Sequence, residues 1–130
     1  MNGLLAVTMA LGLVLVPRAA IAAPDVSGTW DLEMKWVGAL ETITSAGVCT
    51  FERHGDMLAG TCGSGSDRFP IVGRIDGNRL SWRVDVGTDG SAGRMEFSGE
   101  LDEQGTTIRG ACSVTGGQDG TFTMKKHQRP

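Results

Sequence analysis

The chain has 130 residues, with 12 Lys and Arg against 15 Asp and Glu, a net charge of −3. This mild acidity, with no basic block beyond Lys125-Lys126, argues against nucleic acid or an anionic membrane surface as a partner. The 20 glycines, three cysteines and complete lack of tyrosine describe a small turn-rich chain rather than a helical one.

The first element is a leader. Met1-Asn2-Gly3 precedes an apolar run from Leu4 to Val16, broken by Pro17 and Arg18 and followed by Ala19-Ala20-Ile21-Ala22-Ala23-Pro24. An apolar stretch ending in an A-x-A site has the anatomy of a secretory signal peptide, here without a basic residue ahead of the run. The run is too short to span a bilayer, so the segment 1–22 is expected to be removed rather than kept as an anchor. Its removal takes Arg18 with it and moves the charge from −3 to −4. The remaining segment 23–130 is one domain, expected to be secreted or periplasmic with no membrane attachment. In such a compartment three cysteines suggest one disulfide and one spare thiol.

The mature segment repeats one short pattern: apolar, any, Gly, any, apolar. It occurs at Val26–Trp30, Leu58–Cys62, Ile71–Ile75, Phe97–Leu101 and Ile108–Cys112. Such alternation belongs to half-buried strands, and in each copy the glycine falls on the apolar face. Turn residues divide the chain into eight predicted strands, at about 26–36, 45–54, 57–63, 69–76, 79–87, 93–101, 106–115 and 120–126. The segment from Val37 to Thr44 is either a loop or an extension of the first or second strand. Gly55-Asp56 and Gly77-Asn78 place Gly first in a two-residue loop, as a type II′ hairpin prefers. Gly87–Ser91 and Asp102–Gly105 are longer turns.

These turns set a register. A hairpin centred on Gly55-Asp56 pairs Arg53 with Leu58, Phe51 with Gly60 and Cys49 with Cys62. The last pair falls at a non-hydrogen-bonded site, where Cα atoms approach to about 4.5–5.5 Å, so Cys49–Cys62 is the expected disulfide. The Gly77-Asn78 hairpin pairs Ile75 with Leu80 and Gly73 with Trp82. Continuing, Trp82 meets Phe97 and Val84 meets Met95. Arg79, Arg83 and Asp85 then stand opposite Glu100, Glu96 and Arg94 on the outside. Leu101 opposite Ile108 brings Arg109 to Glu100 and Cys112 to Phe97, so Cys112 is read as a buried apolar thiol facing away from the other two cysteines.

Sequential hairpins with one apolar face bury it by closing on themselves, which also removes both edges. The expected fold is therefore all-β: an eight-stranded antiparallel up-and-down β-barrel. The inward set is Val26, Trp30, Leu32, Met34, Phe51, Leu58, Ile71, Ile75, Leu80, Trp82, Val84, Met95, Phe97, Leu101, Ile108, Cys112, Val114 and Phe122. Five inward glycines, at 28, 60, 73, 99 and 110, either let strongly coiled strands bend or leave room for a ligand. Trp36 is read as a rim or interface residue.

The order of these motifs resembles the avidin and streptavidin family within the calycin barrels. Gly28-Thr29-Trp30, Leu58-Ala59-Gly60-Thr61, Val72-Gly73-Arg74 with Leu80-Ser81-Trp82-Arg83-Val84, Phe97-Ser98-Gly99 and Gln118–Thr123 carry the resemblance across the mature segment. That family binds biotin through aromatic walls and a ring of polar groups. The resemblance implies that Trp82 is a wall residue and that Ser64 and Asp119 are polar contacts; by its position Asp119 either points into the barrel end as a ligand anchor or caps the turn before the eighth strand. Cys62 stands where a binding Tyr is expected, Phe97 and Cys112 where Trp residues are expected, and Leu32 where an Asn is expected. These departures remove most of the biotin site.

No catalytic or metal site is legible. His54 and His127 lack partners at triad or ligand spacing, and the aspartates adjoin turn glycines, where they cap backbone. No cofactor is implied, and an enzyme is not expected. The reading is a non-enzymatic binding module holding a small apolar or amphipathic molecule at the open barrel end, with Trp30, Ser64, Trp82, Phe97 and Asp119 as candidate ligand residues. The alternatives are a protein-binding role, such as a protease inhibitor using the short free start Ala23–Val26, or a ligand-free structural envelope protein.

Overall fold

The computed structural model describes residues 25–38, 40–86, 93–115 and 117–127. The leader 1–22 and the turn Gly87–Ser91 lie outside them. Eight strands follow one another: β1 (Gly28–Val37), β2 (Thr42–His54), β3 (Met57–Ser64), β4 (Asp67–Asp76), β5 (Arg79–Val86), β6 (Gly93–Leu101), β7 (Thr107–Val114) and β8 (Gln118–Lys126). All pairings are antiparallel between sequence neighbours, and β1 closes on β8. The chain is thus a closed up-and-down barrel.

The register follows from the turns. Gly55 and Gly77 adopt φ of 64° and 60°, which the first position of a tight hairpin loop demands and only Gly adopts without strain. From them run the pairs Arg53–Leu58, Phe51–Gly60 and Cys49–Cys62, and on the next hairpin Ile75–Leu80 and Gly73–Trp82. Trp82–Phe97, Val84–Met95 and Phe97–Cys112 complete the expected set. On the outside, Arg94 reaches Asp85 at 3.0 Å and Arg79 reaches Glu100 at 3.5 Å. Both pairs are exposed and worth at most about 1 kcal/mol each. The longer turn at Asp102 is capped as expected, its carboxylate accepting hydrogen bonds from the Thr106 and Thr107 amides. Those bonds hold the Asp102 carboxyl below the ordinary range.

Cys49 and Cys62 form a disulfide, with Cα atoms 4.0 Å apart. Both lie inside the barrel, 0% and 4% exposed. Cys112, free and buried, therefore shares the interior face with them rather than pointing the other way. The parity required it, because Cys49 lies two residues from inward Phe51. Replacing both bridged cysteines with alanine is expected to cost about 3 kcal/mol, since the bridge closes a 13-residue separation. That corresponds to a Tm loss of order 10 °C by differential scanning calorimetry.

The core contains the expected inward residues with three demotions and four additions. Met34, Met95 and Val114 are only partly buried, whereas Trp36 and Met124 join the core together with the disulfide. Trp36 is 8% exposed and its indole N–H donates to Ser45 Oγ at 3.4 Å. It is not a rim residue, because it continues the 30, 32, 34 parity of β1. Val37 to Thr44 lengthens both strands and leaves a four-residue connection, 38–41. At the centre, Trp82 stacks on Phe97 with centroids 5.0 Å apart and meets Phe51 and Phe122 edge-on at 5.1 and 5.4 Å. These are favoured aromatic geometries.

Candidate functional site

The barrel has two unlike ends. One carries the hairpin loops at 55–56 and 77–78, the 102–106 turn and the segment entering β1. Here Val26, Trp30, Ile108 and Met124 are 0% exposed. The Trp30 indole donates to the Val26 carbonyl at 2.9 Å, pinning the incoming chain across this end. Asp25 accepts from the Ser27 amide at 2.9 Å, which lowers its pKa. The start of the mature chain is therefore not free at Val26, contrary to the sequence expectation: an apolar side chain two positions ahead of an inward Gly continues the inward row.

The other end carries the connections 38–41, 65–66 and 115–117. Its inward side chains Met34, Phe69, Met95 and Val114 stay partly exposed. Met34, Phe69 and Met95 border a cavity of about 190 Å³, walled also by Leu32, Val84 and Phe97, with the Cys62 half of the disulfide beside them and Ser64 and Asp67 at the lip. The size somewhat exceeds the roughly 150 Å³ of an engineered apolar cavity that takes up a benzene-sized guest. Leu32 and the bridged Cys62 both line this space. The walls are accordingly apolar, and the polar groups are confined to the lip.

The five sequence candidates separate. Phe97 and Ser64 line the cavity. Trp82 lies behind Phe97 in the aromatic stack, 3% exposed, and its indole N–H is buried with no acceptor among the described residues. Trp30 belongs to the closed end, packed and hydrogen-bonded there. Asp119 does not point into the barrel: it is exposed, sits opposite Ser113, and borders a depression on the outer face of the sheet. Gly120, Phe122 and Met124 form the inward row of β8, so position 119 faces out. Phe69, Met34, Met95, Val84 and Leu32 are cavity residues that the candidate set lacked. Their signal was present as inward parity at strand ends, but nothing in the sequence says which end stays unfilled.

The inward glycines do not supply the space. A Cβ at Gly60 or Gly110 would overlap the backbone carbonyl of Thr50 or Ser98, and one at Gly99 would come within 2.8 Å of the Phe122 ring. Gly60, Gly73, Gly99 and Gly110 are points where neighbouring strands and rings close in, which favours the bending reading of the repeat at these four positions.

Cys112 illustrates the interior's chemistry. Burial, with the Asp119 carboxylate adding a like charge, pushes its thiol up to about 11. The thiol therefore favours its neutral form in the fold, and its contribution to stability falls as pH rises from the ordinary thiol range toward that value. At pH 8 the native protein is expected to react with iodoacetamide about two orders of magnitude more slowly than the denatured chain. Mass spectrometry of timed quenches measures this, and equal rates in the two states contradict it.

The histidines lie beside exposed carboxylates, His54 Nε2 3.5 Å from Glu52 and His127 Nδ1 3.3 Å from Asp31. Among the described residues no group of three or more His, Cys, Asp or Glu side chains converges on one point.

No protein-family model matches the chain, and no curated protein matches it. Among solved structures it is similar to a redesigned beta barrel, with a TM-score of 0.61 and 19% identity over 84% of this chain and 100% of that one. The two share the small-barrel fold. At that identity the likeness extends to architecture alone.

Proposed function

We propose that the mature chain is an exported, non-enzymatic binding module that takes a small apolar ligand, or the apolar end of an amphipathic one, in the unfilled barrel end. One observation carries this reading: the interior is packed shut at one end, while the other keeps an apolar cavity of about 190 Å³ with polar groups only at its lip. Pockets of this kind, apolar walls with a few polar groups at the opening, are the usual form of small-molecule sites. The volume is below the range for drug-sized ligands, so the guest is compact or enters by one end. The leader at 1–22 and the disulfide support an exported protein.

The motif order and the barrel together support a remote place among avidin-like calycin barrels. Leu32 and the bridged Cys62 in the cavity wall favour an apolar guest over a ureido ring. The protease-inhibitor alternative loses support from the anchoring of Val26, which shortens any free N-terminal strand.

The test is native mass spectrometry, without reductant, of the chain expressed with its leader and recovered as the exported product. A retained non-protein mass is expected to identify the ligand class. In parallel, titration with straight-chain alcohols by ligand-observed NMR is expected to show affinity rising with chain length until the cavity is filled. Met95→Trp, which occupies the space, is expected to abolish binding while keeping the fold. No retained mass, together with no alcohol binding to the parent protein, overturns the proposal.

A further inference from the structure

The β1–β2 ribbon extends past the rest of the barrel wall. β2 begins at Thr42, but its pairing with β3 starts only at Val48–Gly63. Among the described residues, β1 is its one strand neighbour from Thr42 to Gly47, and Thr42, Ile43, Thr44 and Ala46 are exposed. The polarity of that edge can be deduced. Cys49 and Cys62, with Cα atoms 4.0 Å apart, form a non-hydrogen-bonded pair, so the flanking pairs at Val48 and Thr50 are hydrogen-bonded ones. Alternation then turns the N–H and C=O groups of Ala46, Thr44 and Thr42 toward the open side.

Exposed edges in natural sheets are blunted by lysine, proline, bulges or inward charges. The stretch Thr-Ile-Thr-Ser-Ala-Gly contains no charged residue and no proline. Among the described residues, the same ribbon also displays the two most exposed large apolar side chains, Leu40 at 97% and Val37 at 74%, with Ile43 at 48%.

We propose that this edge pairs with the same edge of a second copy, antiparallel about a two-fold axis at Thr44. Three hydrogen-bonded pairs form: Thr44 with Thr44 of the second copy, and Thr42 with its Ala46 in both directions. The side chains are self-complementary in that register. On the inner face Trp36 lies beside Ile43, and Met34 beside Ser45. The joined four-stranded sheet therefore sets Ile43 of each copy next to Ser45 and Met34 of the other, covering the exposed isoleucine at the lip of the neighbour's cavity. No like charges meet along the seam. An isologous patch of this kind closes as a dimer and leaves no growing edge.

Sedimentation velocity of the mature protein from about 1 µM to about 1 mM is the test. A concentration-dependent monomer–dimer equilibrium is expected. Thr44→Pro deletes the central N–H, which points away from β1, so it leaves the ribbon's own ladder intact. It is expected to raise the dimer dissociation constant at least tenfold, roughly the effect of losing two hydrogen bonds. Ile43→Lys, which alters no backbone group, is expected to do the same by placing two charges in the seam. Circular dichroism unchanged from the parent confirms that both variants fold. A monomer at every concentration, or a dimer that neither variant weakens, overturns the proposal. Because neither position lines the cavity, ligand binding by a strictly monomeric protein would sink this inference and leave the binding reading standing.

Discussion

Gly60→Ala is expected to prevent the barrel from folding, whereas Gly55→Ala is expected to leave a folded, moderately weakened protein. Both glycines have positive φ, 139° and 64°, so both substitutions carry backbone strain of about 1–2 kcal/mol. They differ in what surrounds the new methyl. At Gly55 it meets nothing within 4 Å, while at Gly60 it would overlap the Thr50 carbonyl oxygen and come within 3.2 Å of the Phe51 Cα. Those atoms belong to the paired strand, so relief requires β2 and β3 to separate next to the disulfide. A cost above about 4 kcal/mol is exceptional for one substitution and a large part of a small domain's total stability. The measurement is the yield of soluble protein and its thermal melt. A Gly60→Ala protein melting within a few degrees of Gly55→Ala would contradict the close approach of the strands at this point.

The second large effect is expected at Trp30. Its side chain is 0% exposed, its N–H holds the Val26 carbonyl, and the Lys126 ammonium lies 5.8 Å from the ring centroid. Trp30→Ala removes the largest plug of the closed end and is expected to cost about 4 kcal/mol, a Tm drop of about 15–20 °C for a domain of this size. Trp30→Phe keeps most of the volume but orphans the Val26 carbonyl, so an intermediate loss of about 1–2 kcal/mol is expected. Binding separates this role from a ligand contact. Trp30→Phe is expected to leave alcohol affinity unchanged at temperatures where it is folded, while Met95→Trp removes binding with little loss of Tm. Reversal of that pattern would move the ligand to the other end of the barrel.

Trp30 and Asp119 also show where resemblance and parity diverge. Both entered the candidate set through family motifs or aromatic character. Both leave it because of geometry that alternation partly encodes: Asp119 is three residues from inward Phe122, so it faces out. A register shift of one residue would have turned it inward, and the pairing of Ser113 with Asp119 rules that out.

Cys49–Cys62 was legible in the sequence for a local reason, whereas the three pairs across β5 and β6, joined by a longer connection, were legible from matched apolar residues and opposite charges. In a two-residue hairpin the loop glycines fix which residues face each other, and period-two alternation fixes which side they take. The registers of β2–β3 and β4–β5, the disulfide and most of the core follow from those two rules. The closure of β1 on β8, which pairs Trp30 with Lys126, joins residues almost a full domain apart and has no turn to encode it. That closure decides how the strands coil, and therefore why Gly60, Gly99 and Gly110 are crowded rather than spacious. It also decides that Val26 and Trp30 fill one end while Met34, Phe69 and Met95 leave the other unfilled. Alternation says only that a side chain faces inward. Whether it meets a partner there depends on volumes contributed by all eight strands, and only the assembled barrel sums them.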